Sequence, residues 1–282
     1  MKFFAKCTNK LAQRIVGVSC MTLTQISFGC VSAESTASRP LTKSVGNVPI
    51  CVLICRRTTT RDISVEMRAS VATGSEPASQ CQKPTGWLGR FTLWRMNVSH
   101  SRLTDWGLAH VTIEKHHTIL DVGCGGGRTV SKLAGIATQG KVYGVDYSEE
   151  SVAATKRTNA RWIDTGRVEV RHGSVSQLPF PDGMFDLVTA VETHFWWPSL
   201  PADMREIFRA LKPGGQLIII AEIYKGANTT VAELAEKYAS RTSLKLLSVD
   251  EHRELFANAG YSDVQVTAVP DKAWICAVGR KP

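Results

Sequence analysis

The sequence predicts an α/β fold in which a mostly parallel sheet is covered by helices on both faces. From about residue 118, short apolar runs alternate with segments of helical periodicity, which is the pattern of βα units. The run Gln216–Tyr224 is apolar almost throughout, as in strands that are buried on both sides. Two extended runs near the end of the chain flank Pro270-Asp271-Lys272 and predict a terminal antiparallel pair.

The individual elements follow from the apolar spacing and from the residues that interrupt it. We expect Pro213-Gly214-Gly215 to stop the helix before the fifth strand, because proline and glycine end helices. The predicted strands are Thr118–Gly123, Lys141–Asp146, Arg167–His172, Phe185–Glu192, Gln216–Tyr224, Val264–Val269 and Ala273–Val278. The predicted helices are an amphipathic segment over Trp87–Trp94, then Arg128–Ala137, Glu149–Asp164, Asp203–Leu211, Thr230–Ala239 and Val249–Asn258.

Residues 1–82 differ from the rest of the chain, and we predict that they are a leader preceding one folded domain over residues 83–282. The leader is rich in serine and threonine, poor in acids, and opens with basic residues before an apolar run that polar residues interrupt. Three interpretations stay open: a secretory or transit signal, a disordered extension, or non-native residues added by an upstream start. We expect a cytoplasmic protein, or an organellar or exported one if the leader is a targeting segment.

Composition and charge limit the classes of partner. With 282 residues, of which 43% are hydrophobic, the chain can bury a sizeable core. It has no uninterrupted apolar run of about 18 residues, so no membrane span is predicted. The net charge is +9, but residues 1–75 carry +7 of it, which leaves the folded part nearly neutral. We therefore expect no nucleic-acid partner, because a polyanion groove needs a dense basic surface. The oligomeric state stays open.

The cysteines argue against a zinc site. Six of the eight lie in the leader, and the one close pair there, Cys51 and Cys55, has no histidine at ligand spacing. We therefore predict no metal. Cys124 and Cys276 alone belong to the folded part, which suits a reducing compartment.

The most informative segment is a glycine-rich turn between the first strand and its helix. Glycines at 123, 125 and 127 let the backbone pass close to a ligand. The next strand ends at Asp146, and a carboxylate there can accept both hydroxyls of a ribose. A dinucleotide fingerprint would place glycine where this chain has Arg128. Asp121, just before the turn, would repel a pyrophosphate and attract the ammonium group of a methionine moiety.

In these features residues 83–282 resemble a class I S-adenosylmethionine-dependent methyltransferase of the small-molecule type (methyltransferase type 11/25-like). Four motifs carry the resemblance in order: Asp121–Gly127, Asp146, Gly173–Asp186 and Leu211–Gly215. The resemblance implies a Rossmann-like, doubly wound sheet of seven strands with an antiparallel strand near its C-terminus. It also implies S-adenosylmethionine as the cofactor, a small-molecule methyl acceptor, and a substrate lid built from the Trp87–Trp94 segment and the Thr229–Ala239 helix.

The resemblance assigns the cofactor contacts to particular residues of this chain. They are Asp121, Gly123, Gly125, Gly127, Asp146, Tyr147, Ser174 and Val175. The family usually has aspartate where this chain has Ser174, and that aspartate bonds the adenine amino group. Because a serine brings no charge, we expect cofactor binding to weaken by about 1 kcal/mol, with the backbone of Val175 supplying adenine contact.

The candidate catalytic residues follow the fourth strand, where open α/β sheets place their ligands. His194 is predicted either to act as general base or to position the loop. Glu192 is predicted to orient His194 or to contact the methionine end. Trp196 and Trp197 are predicted to wall an apolar acceptor or to pack beneath the lid. His100 is interpreted as a surface or cap histidine.

Competing enzyme classes lack their motifs in this chain. The fourth strand is not followed by the Asn/Asp-Pro-Pro-aromatic loop of amino-directed DNA methyltransferases, and no Pro-Cys dipeptide of cytosine-C5 enzymes occurs. The sequence thus predicts methyl transfer to a nitrogen, oxygen or carbon atom of a small organic molecule. Two alternatives stay open: a cofactor-binding protein without catalysis, and an NAD-linked oxidoreductase.

Overall fold

A computed structural model describes residues 82–240 and 243–282 of the chain. Apart from residue 82, the leader lies outside the described residues, so its separation from the folded domain stays a prediction. Across the part that the structure describes, no helix combines the length and apolarity needed to cross a membrane.

The core of the fold is one sheet of seven strands in the order β3-β2-β1-β4-β5-β7-β6. The first five strands pair in parallel, and β7 runs antiparallel to both of its neighbours. The predicted Rossmann-like sheet and its terminal antiparallel pair are therefore confirmed. The strands are β1 Thr118–Val122, β2 Lys141–Asp146, β3 Val168–His172, β4 Phe185–Val191, β5 Leu211–Ala221, β6 Ser262–Val269 and β7 Trp274–Arg280.

Helices connect these strands and bury both faces of the sheet. Alternate residues of β1 enter different apolar cores, with Leu120 and Val122 in one and Ile119 in the other. The helices are α1 Gly86–Ser99, α2 Ser101–Leu108, α3 Arg128–Ile136, α4 Glu149–Thr158, α5 Ala160–Asp164, α6 Leu200–Ala210, α7 Thr230–Ala239 and α8 Val249–Asn258. Strand order reverses between β1 and β4, and in open α/β sheets the ligand crevice lies at this switch point.

The single helix predicted over Glu149–Asp164 is wrong, because Asn159 divides it into α4 and α5. Asn159 is fully buried, and its Nδ2 donates to the carbonyl oxygens of Gly127 at 2.9 Å and Thr155 at 3.0 Å. Asparagine side chains compete with backbone hydrogen bonds and so interrupt helices. Here the interruption places an amide beside the glycine turn.

The fifth strand starts earlier than predicted, at Leu211 rather than Gln216, and it ends at Ala221. Pro213-Gly214-Gly215 lies inside the strand as a bulge, between the pairs Phe185–Leu211 and Leu187–Gln216. The preceding helix, α6, already ends at Ala210, so the triplet bends the strand and does not terminate the helix.

Helix α1 does not show the division into a buried apolar side and an exposed polar side that was predicted for Trp87–Trp94. Trp87, Phe91 and Trp94 are 74%, 49% and 62% exposed, whereas Leu93 is buried. The aromatic residues therefore face outward, and the opposite, aliphatic side of the helix faces the rest of the domain.

Candidate active site

A cleft of about 190 Å³ lies at the carboxyl ends of the central parallel strands. Residues from the glycine turn, the end of β2, the loop after β3 and the end of β4 line it, together with the segment that leads into α1. The lining residues are Gln82, Pro84, Leu93, Met96, Val122, Gly123, Gly125, Val145, Asp146, Tyr147, Ser151, Gly173, Ser174, Val175, Val191, Glu192, Thr193, Trp196, Trp197 and Pro198.

The glycine turn needs glycine for two different reasons. Gly123 has φ 72°, and a Cβ there would lie 2.6 Å from Oγ1 of Thr193. Gly127 has φ 82° and precedes the first residue of α3, and a Cβ there would lie 2.7 Å from Cα of Thr155 in α4. Gly123 lines the cleft, whereas Gly127 allows α4 to pack closely against the turn.

Asp146 is held in place from the turn and from the start of the following helix. Its Oδ2 accepts the N–H of Gly125 and its Oδ1 accepts the N–H of Ser148, both at 2.9 Å. It is 7% exposed and lines the cleft. Burial raises the pKa of its carboxyl group, and the N–H donors of Ser148 and Gly125 oppose that shift. A carboxylate oriented in this way keeps lone pairs available for further donors.

The other residues predicted to surround an adenosine group lie beside Asp146. Tyr147 is 40% exposed, and its hydroxyl donates to the carbonyl oxygen of Gln82. Oγ of Ser174 accepts the N–H of Ser176 at 3.2 Å, and Val175 is buried. All three predicted residues line the cleft, so the chain brings them to one wall.

Asp121 lies below the cleft and does not line it. Its side chain is 2% exposed, and its Oδ1 accepts the hydroxyl of Thr189 at 2.6 Å. Burial raises the pKa of Asp121 to about 7, and the charge of Asp146 adds to the shift while Thr189 opposes it. At neutral pH Asp121 is thus only partly ionised, and it adds a fraction of a negative charge beneath the glycine turn.

Glu192 follows β4 with a backbone φ of 59°, which is rare for a residue other than glycine. Its Oε1 accepts the backbone N–H of Glu222, which follows β5. Burial, together with the neighbouring charge of Glu222, raises the pKa of Glu192 to about 8. Strained backbone and a shifted pKa at the edge of a cleft are both typical of functional positions.

His194 points away from the cleft, contrary to the orientation that a general base would need. Its ring is 1% exposed, and its Nε2 lies 3.2 Å from Nε2 of His252 in α8. Burial lowers the pKa of His194 well below its usual value, and His252 lowers it further. The 3₁₀ turn His194–Trp196 directs this side chain into the protein interior.

The two buried histidines predict a specific dependence of stability on pH. Burial lowers the pKa of His252 as well, so the unfolded chain takes up these protons before the folded chain does as pH falls below 6.5. Each such histidine removes up to about 1.4 kcal/mol of stability per pH unit. We expect the difference in unfolding free energy between the wild-type protein and His252→Asn to shrink between pH 7.5 and 5.5. A difference independent of pH, measured by urea unfolding, would contradict this.

The two tryptophans after Glu192 occupy different environments. Trp197 is buried, and its Nε1 donates to Oγ1 of Thr193 at 3.0 Å. Trp196 is half-buried, and both rings line the cleft. Trp197 therefore supports the loop, whereas Trp196 offers an aromatic surface.

His100 and Glu222 do not line the cleft, but they lie next to Glu192, a proximity that the sequence did not reveal. Nε2 of His100, between α1 and α2, lies 3.3 Å from Oε1 of Glu222. Burial lowers the pKa of His100, but hydrogen bonding to Glu222 and the charges of Glu192 and Glu222 outweigh it and leave the pKa raised. His100 does occupy the cap position between α1 and α2, as interpreted, but its side chain makes no cap hydrogen bond and is largely buried.

The segment before and within α1 closes the cleft from above. Oγ of Ser148 donates to the carbonyl oxygen of Pro84 at 2.8 Å, and Nδ2 of Asn97 donates to that of Gly126 at 3.0 Å. Small-molecule sites commonly reach about 300 Å³ or more, so the cleft beneath this segment, at about 190 Å³, is smaller than a typical ligand site.

Comparisons with known proteins agree with this geometry. Residues 120–219 match a family model described as a methyltransferase domain. A demethylmenaquinone methyltransferase of Geobacillus kaustophilus is 29% identical over 199 residues, which cover 61% of this chain and 84% of that protein. The O-methyltransferase cnsE of Penicillium expansum is 29% identical over 151 residues, or 54% of each chain. The chain thus spans about half the length of some curated relatives that it matches.

Solved structures support the fold. A SAM-dependent methyltransferase from Aquifex aeolicus superposes with a TM-score of 0.57 at 21% identity, covering 68% of this chain and 98% of that one. A geranyl diphosphate methyltransferase in complex with SAM gives a TM-score of 0.54 at 15% identity, covering 74% and 96%. At these identities the likeness establishes a shared architecture.

Proposed function

We propose that this chain, whose residues 120–219 match a methyltransferase domain model and whose fold is shared with a SAM-dependent methyltransferase, transfers a methyl group from S-adenosylmethionine to a small organic acceptor. The observation that carries the proposal is the position of Asp146. Its carboxylate stands at the end of β2, oriented by Gly125 and Ser148, at the edge of a glycine turn.

The cleft residues fit the parts of this cofactor. Asp146 would accept the ribose hydroxyls, with Tyr147, Ser174 and Val175 around the adenine. Gly123 and Gly125 would lie under the methionine portion. When bound, the cofactor supplies an electrophilic methyl group on a sulfonium ion. The residues of the chain bind it, exclude water and position the acceptor.

The electrostatics of the cleft favour a positively charged nucleoside over a dinucleotide. Asp146 is an acid at the cleft surface, and Asp121, with a pKa of about 7, adds part of a negative charge below it. Such a group of acids would repel a pyrophosphate and attract a sulfonium and an ammonium group. This supports S-adenosylmethionine over NAD as the cofactor.

We propose that the acceptor occupies the space between Glu192 and Trp196. Relatives named as demethylmenaquinone and geranyl diphosphate methyltransferases act on small organic molecules with apolar portions. An aromatic side chain such as Trp196 offers a surface for such a molecule. His194 is not assigned a direct role, because its ring faces His252. We propose instead that the carboxyl group of Glu192 is the ionisable group that contacts the acceptor.

Replacing Glu192 with glutamine is expected to lower turnover at least about tenfold while the affinity for S-adenosylmethionine changes little. The substitution keeps the size of the side chain but removes a carboxyl group that, with a pKa of about 8, can exchange a proton near neutral pH. Turnover is measured with labelled cofactor and affinity by calorimetry. The matched control is Glu254→Gln at an exposed position of α8. Unchanged turnover in Glu192→Gln would remove Glu192 from the proposed acceptor site.

The function itself is tested with a methyl-labelled cofactor and a fractionated metabolite extract. We expect one small organic compound to gain label in the presence of the wild-type protein and none with Asp146→Ala. Tight cofactor binding without labelling of any fraction would favour a binding protein without catalysis. Reduction of a carbonyl compound with NADH would favour the oxidoreductase.

A further inference from the structure

Three side chains from separate parts of the chain meet beside the cleft. His100 lies between α1 and α2, Glu192 follows β4, and Glu222 follows β5. Their potential ligand atoms lie within 4.8 Å of one another, and Nε2 of His100 is 3.3 Å from Oε1 of Glu222. The fold therefore gathers one imidazole and two carboxylates at one point, from positions far apart in the sequence.

Few groups among the described residues compensate the negative charge of these two carboxylates. Oε1 of Glu222 is buried and has the imidazole of His100, at 3.3 Å, as its one partner in the part of the chain that the structure describes, and Glu192 accepts one backbone N–H, that of Glu222. Within residues 82–240 and 243–282, the ion pairs include no lysine or arginine partner for Glu192 or Glu222. Burying a carboxylate is costly unless a cation or hydrogen-bond donors compensate its charge. The arrangement therefore favours binding of a cation.

We propose that His100, Glu192 and Glu222 bind one first-row divalent metal ion. Nitrogen and carboxylate ligands suit such ions, with ligand distances of about 2.1 Å. Two ligands at that distance from one ion are about 3.3 Å apart when the angle between them is nearly tetrahedral, which matches His100 and Glu222. An ion held by three protein ligands keeps an open position for water or a substrate oxygen.

The competing account is a cluster without metal, in which a protonated His100 pairs with Glu222 and Glu192 carries a proton, as its raised pKa allows. The two accounts differ in one measurable respect. A metal ion makes a bond to the imidazole nitrogen, whereas an imidazolium ion has no lone pair to offer a metal.

The test uses the full chain, stripped with a chelator and titrated with Mn²⁺ at pH 7.5. Mn²⁺ is preferred to Zn²⁺ because the chain has eight cysteines, and thiolates bind zinc strongly. Electron paramagnetic resonance counts the bound ions, and pulsed measurements detect coupling to an imidazole nitrogen. We expect one Mn²⁺ per chain with a dissociation constant below about 0.1 mM and a clear nitrogen coupling.

Two variants and two controls locate the ion. His100→Ala and Glu222→Gln should each weaken binding at least tenfold, and His100→Ala should abolish the nitrogen coupling. His116→Ala and Glu254→Gln, at exposed positions, should change neither. Absence of saturable binding, or binding unaffected by both site variants, would overturn the proposal. If a variant fails to fold, the wild-type spectrum decides alone, because bound Mn²⁺ without nitrogen coupling excludes His100 as a ligand. None of these readouts depends on methyl transfer.

Discussion

Replacing Asp146 with alanine is expected to weaken binding of S-adenosylmethionine at least tenfold. The carboxylate already accepts hydrogen bonds from Gly125 and Ser148, so it is oriented before the ligand arrives. Hydrogen bonds to a charged group contribute about 1.5–3 kcal/mol each, and about 1.4 kcal/mol corresponds to tenfold in affinity. The variant also loses the acceptor that fixes the N–H of Gly125 in the turn.

Two further substitutions serve as comparisons for Asp146→Ala. Asp146→Asn keeps the shape but supplies only one carbonyl oxygen for two backbone donors, and we expect it to bind the cofactor weakly as well. Asp271→Ala, at an exposed position between β6 and β7, should bind like the wild-type protein. Calorimetric titration with S-adenosylmethionine measures all three. Wild-type affinity in Asp146→Ala would remove Asp146 from the cofactor site.

Replacing Gly127 with alanine is expected to lower the free energy of unfolding by about 3 kcal/mol. Its φ of 82° is unfavourable for alanine, and the new Cβ would lie 2.6 Å from Nδ2 of Asn159 and 2.7 Å from Cα of Thr155. Left-handed backbone costs about 1–2 kcal/mol for such a residue, and overpacking adds about 1–3 kcal/mol. The backbone of α4 must move to relieve the contact.

Gly135 provides the matched control within the adjoining helix α3. Its φ is not in the left-handed region, and a Cβ there would meet nothing within 4 Å. Gly135→Ala should therefore raise the free energy of unfolding by about 0.5–1 kcal/mol, because alanine is the better helix former. Urea unfolding compares the two variants. Equal stability of both would show that the glycine turn tolerates a side chain.

Local patterns in the sequence were sufficient to predict the strands and six of the eight proposed cofactor contacts as residues that line the cleft. Apolar runs, the glycine turn and the acid ending β2 are short-range signals, and the strands they predicted are present. Asn159 was missed as a helix breaker because its effect depends on the carbonyl oxygen of Gly127, 32 residues earlier. A helical pattern alone does not reveal such a partner.

The acceptor side was predicted less well because side-chain direction after a strand depends on tertiary packing. The sequence identified the segment after β4, but the 3₁₀ turn sends His194 towards His252 in α8 and leaves Glu192 at the cleft. Likewise, the meeting of His100, Glu192 and Glu222 arises from the order of strands in the sheet. Each residue alone gives no local signal of that proximity.

The most direct test of the account is a calorimetric comparison of S-adenosylhomocysteine and NAD⁺ as ligands of the wild-type protein, repeated with Asp146→Ala. The account predicts saturable binding of one S-adenosylhomocysteine per chain, lost or strongly weakened in the variant, and no measurable binding of NAD⁺. Binding of NAD⁺ in place of S-adenosylhomocysteine would contradict it.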